Sequence, residues 1–180
     1  MRSPLGKEVR KLFAAELARR QPSFARVERP KPGIDPKWVY AVAPDLSFFI
    51  ELHMLPRSDE FVVEVGWTDG GEIGLRDNYQ SRVDTRAKKW GARLSTLVDE
   101  TDGYKRHWDV TPQLSSEDEM ERVEAISRGE KIPLTPPDPP VEEVLPRVAP
   151  LVRDAIDKLE KYALPLFRRV TEERGHKWPV

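Results

Sequence analysis

The chain of 180 residues carries 30 Lys and Arg against 31 Asp and Glu, a formal charge of −1, and has no cysteine. Disulfides, thiolate catalysis and Cys-ligated metal centres are therefore excluded. The charge balance argues against nucleic acid or an anionic membrane as partner unless a local basic patch forms. The length suits one domain, and a hydrophobic share of 38% with five Trp and six Phe can fill a core.

Charges interrupt the N-terminal ten residues before an apolar stretch can form, so no secretory signal is expected. No apolar run reaches the ~20 residues of a membrane helix. With the missing cysteines, which fit a reducing compartment, these features lead to the expectation of a cytoplasmic protein.

Val9, Leu12, Phe13 and Leu17 recur at helical spacing and predict an amphipathic helix over Leu5–Arg20, stopped by Pro22. Pro30, Pro32, Gly33 and Pro36 mark a loop. Three strands follow: Trp38–Ala43, Ser47–Leu55 and Phe61–Trp67. In the second, Phe48, Ile50, Leu52 and Met54 alternate with Phe49, Glu51 and His53. In the third, Phe61, Val63, Val65 and Trp67 alternate with Val62, Glu64 and Gly66. Such period-two patterns suit a sheet with one buried face. A four-residue loop between them sets Met54 opposite Val63 and His53 opposite Glu64. A six-residue loop sets Glu51 opposite Glu64 instead, and the sequence leaves both open.

After a turn at Asp69-Gly70-Gly71, the spacing of Tyr79, Val83, Ala87 and Trp90 predicts a helix over Asp77–Trp90, ended by Gly91. Arg93–Val98 and Tyr104–Val110 flank Asp102-Gly103 and read as a second hairpin. Ser115–Arg128 opens with acidic residues suited to a helix N-terminus. Seven prolines between Pro133 and Pro150 suggest an extended tether, drawn at residues 130–150. A final helix follows with Pro150 at its first position and a stripe of Leu151, Val152, Ala155, Ile156, Leu159, Tyr162 and Ala163. The tail from Glu172 to Val180 reads as polar and frayed. Strands followed by helices without βαβ alternation predict a single α+β domain over residues 1–180: an antiparallel sheet with helices on one face, N- and C-terminal helices flanking.

No phosphate-binding glycine loop, nucleophile elbow or zinc-binding helix motif occurs, and no cofactor is implied. Three features hold chemistry. Glu51, His53 and Glu64 share the sheet face opposite the apolar set, where they form either an acid–base or metal-ligating group or an ordinary solvated face. Arg82, Arg86 and Lys89, with Trp90 nearby, place a basic helix face that suits an acidic partner protein, a nucleic-acid backbone or solvent. Trp90 and Trp108, at element ends, either make partly exposed contacts or pack in the core or at its rim, the reading that tryptophan burial favours.

Residues 92–110, with Arg93-Leu94, Leu97 and Trp108-Asp109-Val110, have an Arg-Leu-x-x-Leu…Trp-x-hydrophobic form. Residues 159–167 read Leu-Glu-Lys-Tyr-Ala-Leu-Pro-Leu-Phe, and Phe61-Val62-Val63-Glu64-Val65-Gly66 is a Phe-x-Val-x-Val type of strand. Together they resemble a bacterial domain-of-unknown-function family, number forty-three-zero-four. The chain departs from it at about 115–150 and at His107-Trp108. The resemblance implies an antiparallel sheet with flanking helices in a small bacterial cytosolic protein, and transfers no catalytic residue. The reading that follows is a non-enzymatic protein-binding module, of which an immunity protein occluding a toxin is one form. Its surfaces are the polar sheet face (Phe49, Glu51, His53, Glu64) and the basic helix (Arg82, Arg86, Lys89, Trp90). A hydrolase using the sheet face, with or without a metal, and a nucleic-acid binder are the alternatives.

Overall fold

The computed structural model describes residues 3–27, 36–55, 58–69, 83–102, 107–111, 116–130 and 138–178. Helix α1 spans Ser3–Arg20 and buries Leu5, Val9, Phe13 and Leu17, one residue per turn. The sheet strands are β1 (Ala25–Arg26), β2 (Lys37–Ala43), β3 (Leu46–Met54), β4 (Glu60–Thr68), β5 (Lys89–Arg93) and β6 (Trp108–Asp109). They pair antiparallel in the order β1-β2-β3-β4-β5, and β6 joins β4 beyond β5. The predicted α+β fold with flanking terminal helices is what forms.

Between β3 and β4 the six-residue connection holds: Met54 faces Phe61, Leu52 faces Val63, Ile50 faces Val65 and Phe48 faces Trp67. Every one of these pairs lies on the core side. Trp90 extends the row, stacked on Trp67 at 4.5 Å, and Trp108 stacks on Phe61 at 5.4 Å. Trp90 and Trp108 are each 1% exposed, so of the two readings, surface contact or core packing, core packing is what forms.

The helix predicted over Asp77–Trp90 does not form where the chain is described. Asp84–Ala87 makes a turn and Lys89–Arg93 is a strand. Trp90, Ala92 and Leu94 alternate with Lys89, Gly91 and Arg93, a period of two that Val83, Ala87 and Trp90 mask. Residues 77–82, including Arg82, lie outside the described residues, as do the glycines of both Asp-Gly turns. The second hairpin is also replaced. Leu94–Leu97 and Glu100–Asp102 form single 3₁₀ turns, and Trp108–Asp109 pairs with β4 rather than with Arg93–Val98.

The helical layer is α1 with α3 (Val141–Lys158), a π turn (Leu159–Ala163) and α4 (Leu164–Glu173), which run on without a break. The tether drawn at 130–150 is helix from Val141 onward, with Pro146 and Pro150 inside it. Both prolines are solvent-exposed, where water can satisfy the carbonyls they leave without donors. The inward stripe of Val144, Val148 and Val152 decides the conformation. That stripe continues through Ile156, Leu159, Ala163, Phe167 and Val170. Seven turns of ideal helix cover about 25 residues, and the stripe spans one more. The π turn absorbs it. Pro165 supplies no N–H to the preceding turn, and the Leu164 N–H bonds Leu159 O, five residues back.

Polar clamps fix this layer. The Arg20 guanidinium bonds Glu160 and Asp157, and Gln21 donates to Glu160. Asp154 accepts from Lys158 Nζ at 2.7 Å and from Trp108 Nε1 at 2.7 Å, joining α3 to β6. The tail is not frayed over its described part. Gly175, at φ +77°, lets the N–H groups of Gly175 and His176 reach Glu172 O and Thr171 O. The chain turns back so that Arg174 holds Asp69 and Ala87 O, His176 pairs with Asp45, and Trp178 packs on Tyr40 and Phe48. Helix α2 (Ser116–Ser127) has no principal packing contact with another described element. No described helix is long and apolar enough to cross a membrane.

On the other sheet face, Gly66 sits opposite Gly91, and a Cβ at Gly66 would lie 2.2 Å from Trp90 O and 2.6 Å from the Phe49 ring. The Phe49 ring fills the room left by the missing side chain. Gly66→Ala should therefore destabilise the fold by about 1–3 kcal/mol, read by urea unfolding. An unchanged midpoint would show that the ring does not occupy this slot.

Candidate functional site

The residues read from the sequence as one polar group do come together, and the register explains how. Lys37 faces Glu51, Glu51 faces Glu64, and Glu64 faces Arg93. Four strands thus carry a transverse row of signs + − − +. Glu51 Oε2 lies 2.9 Å from Lys37 Nζ. His53, opposite Val62 in the ladder, reaches across with Nε2 3.0 Å from Glu64 Oε2 and 3.8 Å from Glu51 Oε1. Two directly opposed carboxylates repel. The cations at either end and the imidazole beside them offset this.

The row is largely withdrawn from water: the side chains of Lys37, Glu51, His53 and Glu64 are 10–23% exposed. Lys37 Nζ also stands 5.8 Å above the centre of the Phe49 ring. Phe49 itself is 1% exposed and Glu64 is 8% exposed. These two cannot serve as contacts on an open sheet face, which corrects the expected interface. Lys37 was not singled out in the sequence. Its signal was its place one residue before the apolar Trp38, on the polar phase of β2, but only the β2–β3 register connects it to Glu51.

Chemically, the row balances charge across the sheet. Among the described residues no group of three or more His, Asp or Glu is placed to hold a metal ion. A groove of about 430 Å³ lies elsewhere, lined by Val83, Leu97, Tyr162, Pro165, Leu166 and Arg169. No residue of the charged row lines it. The expected basic helix is not a helix where described: Arg86 is exposed in the Asp84–Ala87 turn and Lys89 is exposed at the start of β5.

The surface that the sequence reading missed is on α2. Met120, Val123 and Ile126 are 64%, 61% and 55% exposed, and Val141 and Leu145 in the first turns of α3 are 86% and 51% exposed. Met120, Val123 and Ile126 recur every three residues in a segment with five acidic residues and one basic. The spacing was visible. That no described element covers them was not.

A carboxyl with a shifted pKa lies at the β4–β6 edge. Burial pushes the Asp109 carboxyl above its ordinary value; Glu60 and Asp59 add to this, while the Thr111 N–H and His107 oppose it. No family model, curated protein or solved structure matches the chain.

Two outcomes test this electrostatic account. In a double-mutant cycle of Lys37→Met and Glu51→Leu, the pair should show a favourable coupling of about 0.5–3 kcal/mol; zero coupling would mean that the contact contributes nothing. For Asp109, the raised native pKa means that the folded state holds the proton more tightly. Its contribution to stability is present below the unfolded value of ~3.9 and is lost as pH rises through the native value. Asp109→Asn should accordingly gain stability relative to the parent between pH 3 and pH 7. An equal difference at both pH values would contradict the burial effect.

Proposed function

We propose that the protein is a non-enzymatic binding module of the bacterial cytoplasm that docks a basic protein partner through α2 and the first turns of α3. An immunity protein that occludes a toxin is the form of this reading the chemistry suits best. The observation that carries it is the set of five large apolar side chains exposed by 51–86% on α2 and early α3. Large apolar side chains exposed among polar residues mark interaction sites. The acidic residues Glu117, Glu121 and Glu124 of α2 are exposed and give the rim a sign, and its complement is a positively charged surface such as proteins acting on nucleic acids present. The resemblance to family forty-three-zero-four stays part of this proposal and adds no residue roles. The hydrolase alternative has less support, because Glu51 is paired with Lys37 and Glu64 with His53.

The test is capture from source-cell lysate by the tagged chain, followed by affinity measurement on the purified partner. A single basic protein should bind, more weakly as salt rises. Met120→Gln with Val123→Gln should reduce its affinity at least about tenfold, while stability changes by only about 0.5 kcal/mol. Capture of the same partner with unchanged affinity by the double variant would sink the assignment to α2. The absence of any stoichiometric partner would sink the binding-module reading.

A further inference from the structure

The helical layer contains a feature that the protein-docking surface does not use. Where the π turn passes the Leu94–Leu97 3₁₀ turn, a groove of about 430 Å³ opens, within the range of small-molecule sites. Its walls are Val83, Leu97, Leu166 and Pro165, together with the ring of Tyr162. The Tyr162 hydroxyl donates to Asp102 Oδ2 at 2.8 Å, which fixes the ring as a wall. Lys161 Nζ bonds the same carboxylate oxygen at 2.8 Å, so that cation is already engaged.

The groove's own cation is Arg169. Its guanidinium Nε is 4.0 Å from Glu173 Oε1, a contact at the limit of an ion pair, with both side chains about half exposed. Such a pair contributes little and is readily exchanged. A planar guanidinium lining an apolar trough matches a carboxylate attached to an apolar body.

We propose that this groove binds a small amphipathic carboxylate, its apolar body between Leu97, Leu166 and the Tyr162 ring and its carboxylate on Arg169. Tyr162, Pro165, Leu166 and Arg169, spaced i, i+3, i+4 and i+7, share one face of the continuing helix and line the groove together. Binding here is independent of docking at α2.

The probe is 2-naphthoate, compared with uncharged 2-naphthamide of the same shape, titrated into the full chain with methyl-labelled Val and Leu observed by NMR. The methyl resonances of Val83, Leu97 and Leu166 should shift and saturate with naphthoate, and naphthamide should bind about tenfold more weakly. Arg169→Gln should abolish that preference for the acid without changing the thermal midpoint. Leu97→Trp, which fills the trough, should abolish both interactions. Unmoved groove methyls, shifts centred elsewhere, or equal affinity for acid and amide would each overturn the proposal. So would an Arg169→Gln variant that still prefers the acid.

Discussion

The apolar side of the β3–β4 pair is the constraint on which the rest of the structure depends. Four consecutive cross-strand pairs, from Met54–Phe61 to Phe48–Trp67, present nothing but hydrocarbon and aromatic surface to one side. That surface must be covered along its whole length. One helix at the N-terminus covers part of it. The remainder needs an apolar stripe from Val144 to Val170, longer than an ordinary helix keeps in phase. The π turn over Leu159–Ala163 corrects the phase, and Phe167 can then stack on Phe48 at 4.4 Å. Trp178 closes the end of the same aromatic group.

The opposite face obeys a different rule. There the sheet buries charge, and it does so in an order that sums to neutrality across four strands. Replacing such a row by hydrocarbon is often neutral or stabilising, so its presence is not explained by stability alone. Register on this face is fixed by steric fit, because only one pairing brings the Phe49 ring over the Gly66–Gly91 slot.

These features also explain what the sequence made legible. The alternation in β3 and β4 and the four-residue spacing in α1 report directly on burial, and both were readable. The choice between two hairpin registers depends on loop length, which alternation does not encode. The segment ending at Trp90 was misread because Val83, Ala87 and Trp90 satisfy a helical spacing while Trp90, Ala92 and Leu94 satisfy a strand spacing; pairing with β4 decides between them. Pro146 and Pro150 argued for an extended chain, but they fall on the solvent side of a helix whose other side is held by Val144, Val148 and Val152. Trp178 lay in a tail of polar residues, and only the turn at Gly175 directs it to the core. Of the expected site, Glu51, His53 and Glu64 assembled, whereas Phe49 and Trp90 proved interior. Alternation assigns a face but not whether that face is open to water.

The division that follows is between a core of sheet and split helix, cross-braced by Arg20, Asp154 and Arg174, and an acidic helix α2 that stands outside those contacts with its apolar residues in water. Local stability should follow that division, since segments with few buried contacts open at low free energy. Native-state hydrogen exchange on the full chain tests it most directly. The account predicts that amides of β3, β4 and the Val152–Val170 stretch exchange only through global unfolding, while those of α2 exchange by local opening at far lower cost. Protection in α2 equal to that of β4 would contradict it, because α2 would then belong to the cooperative core.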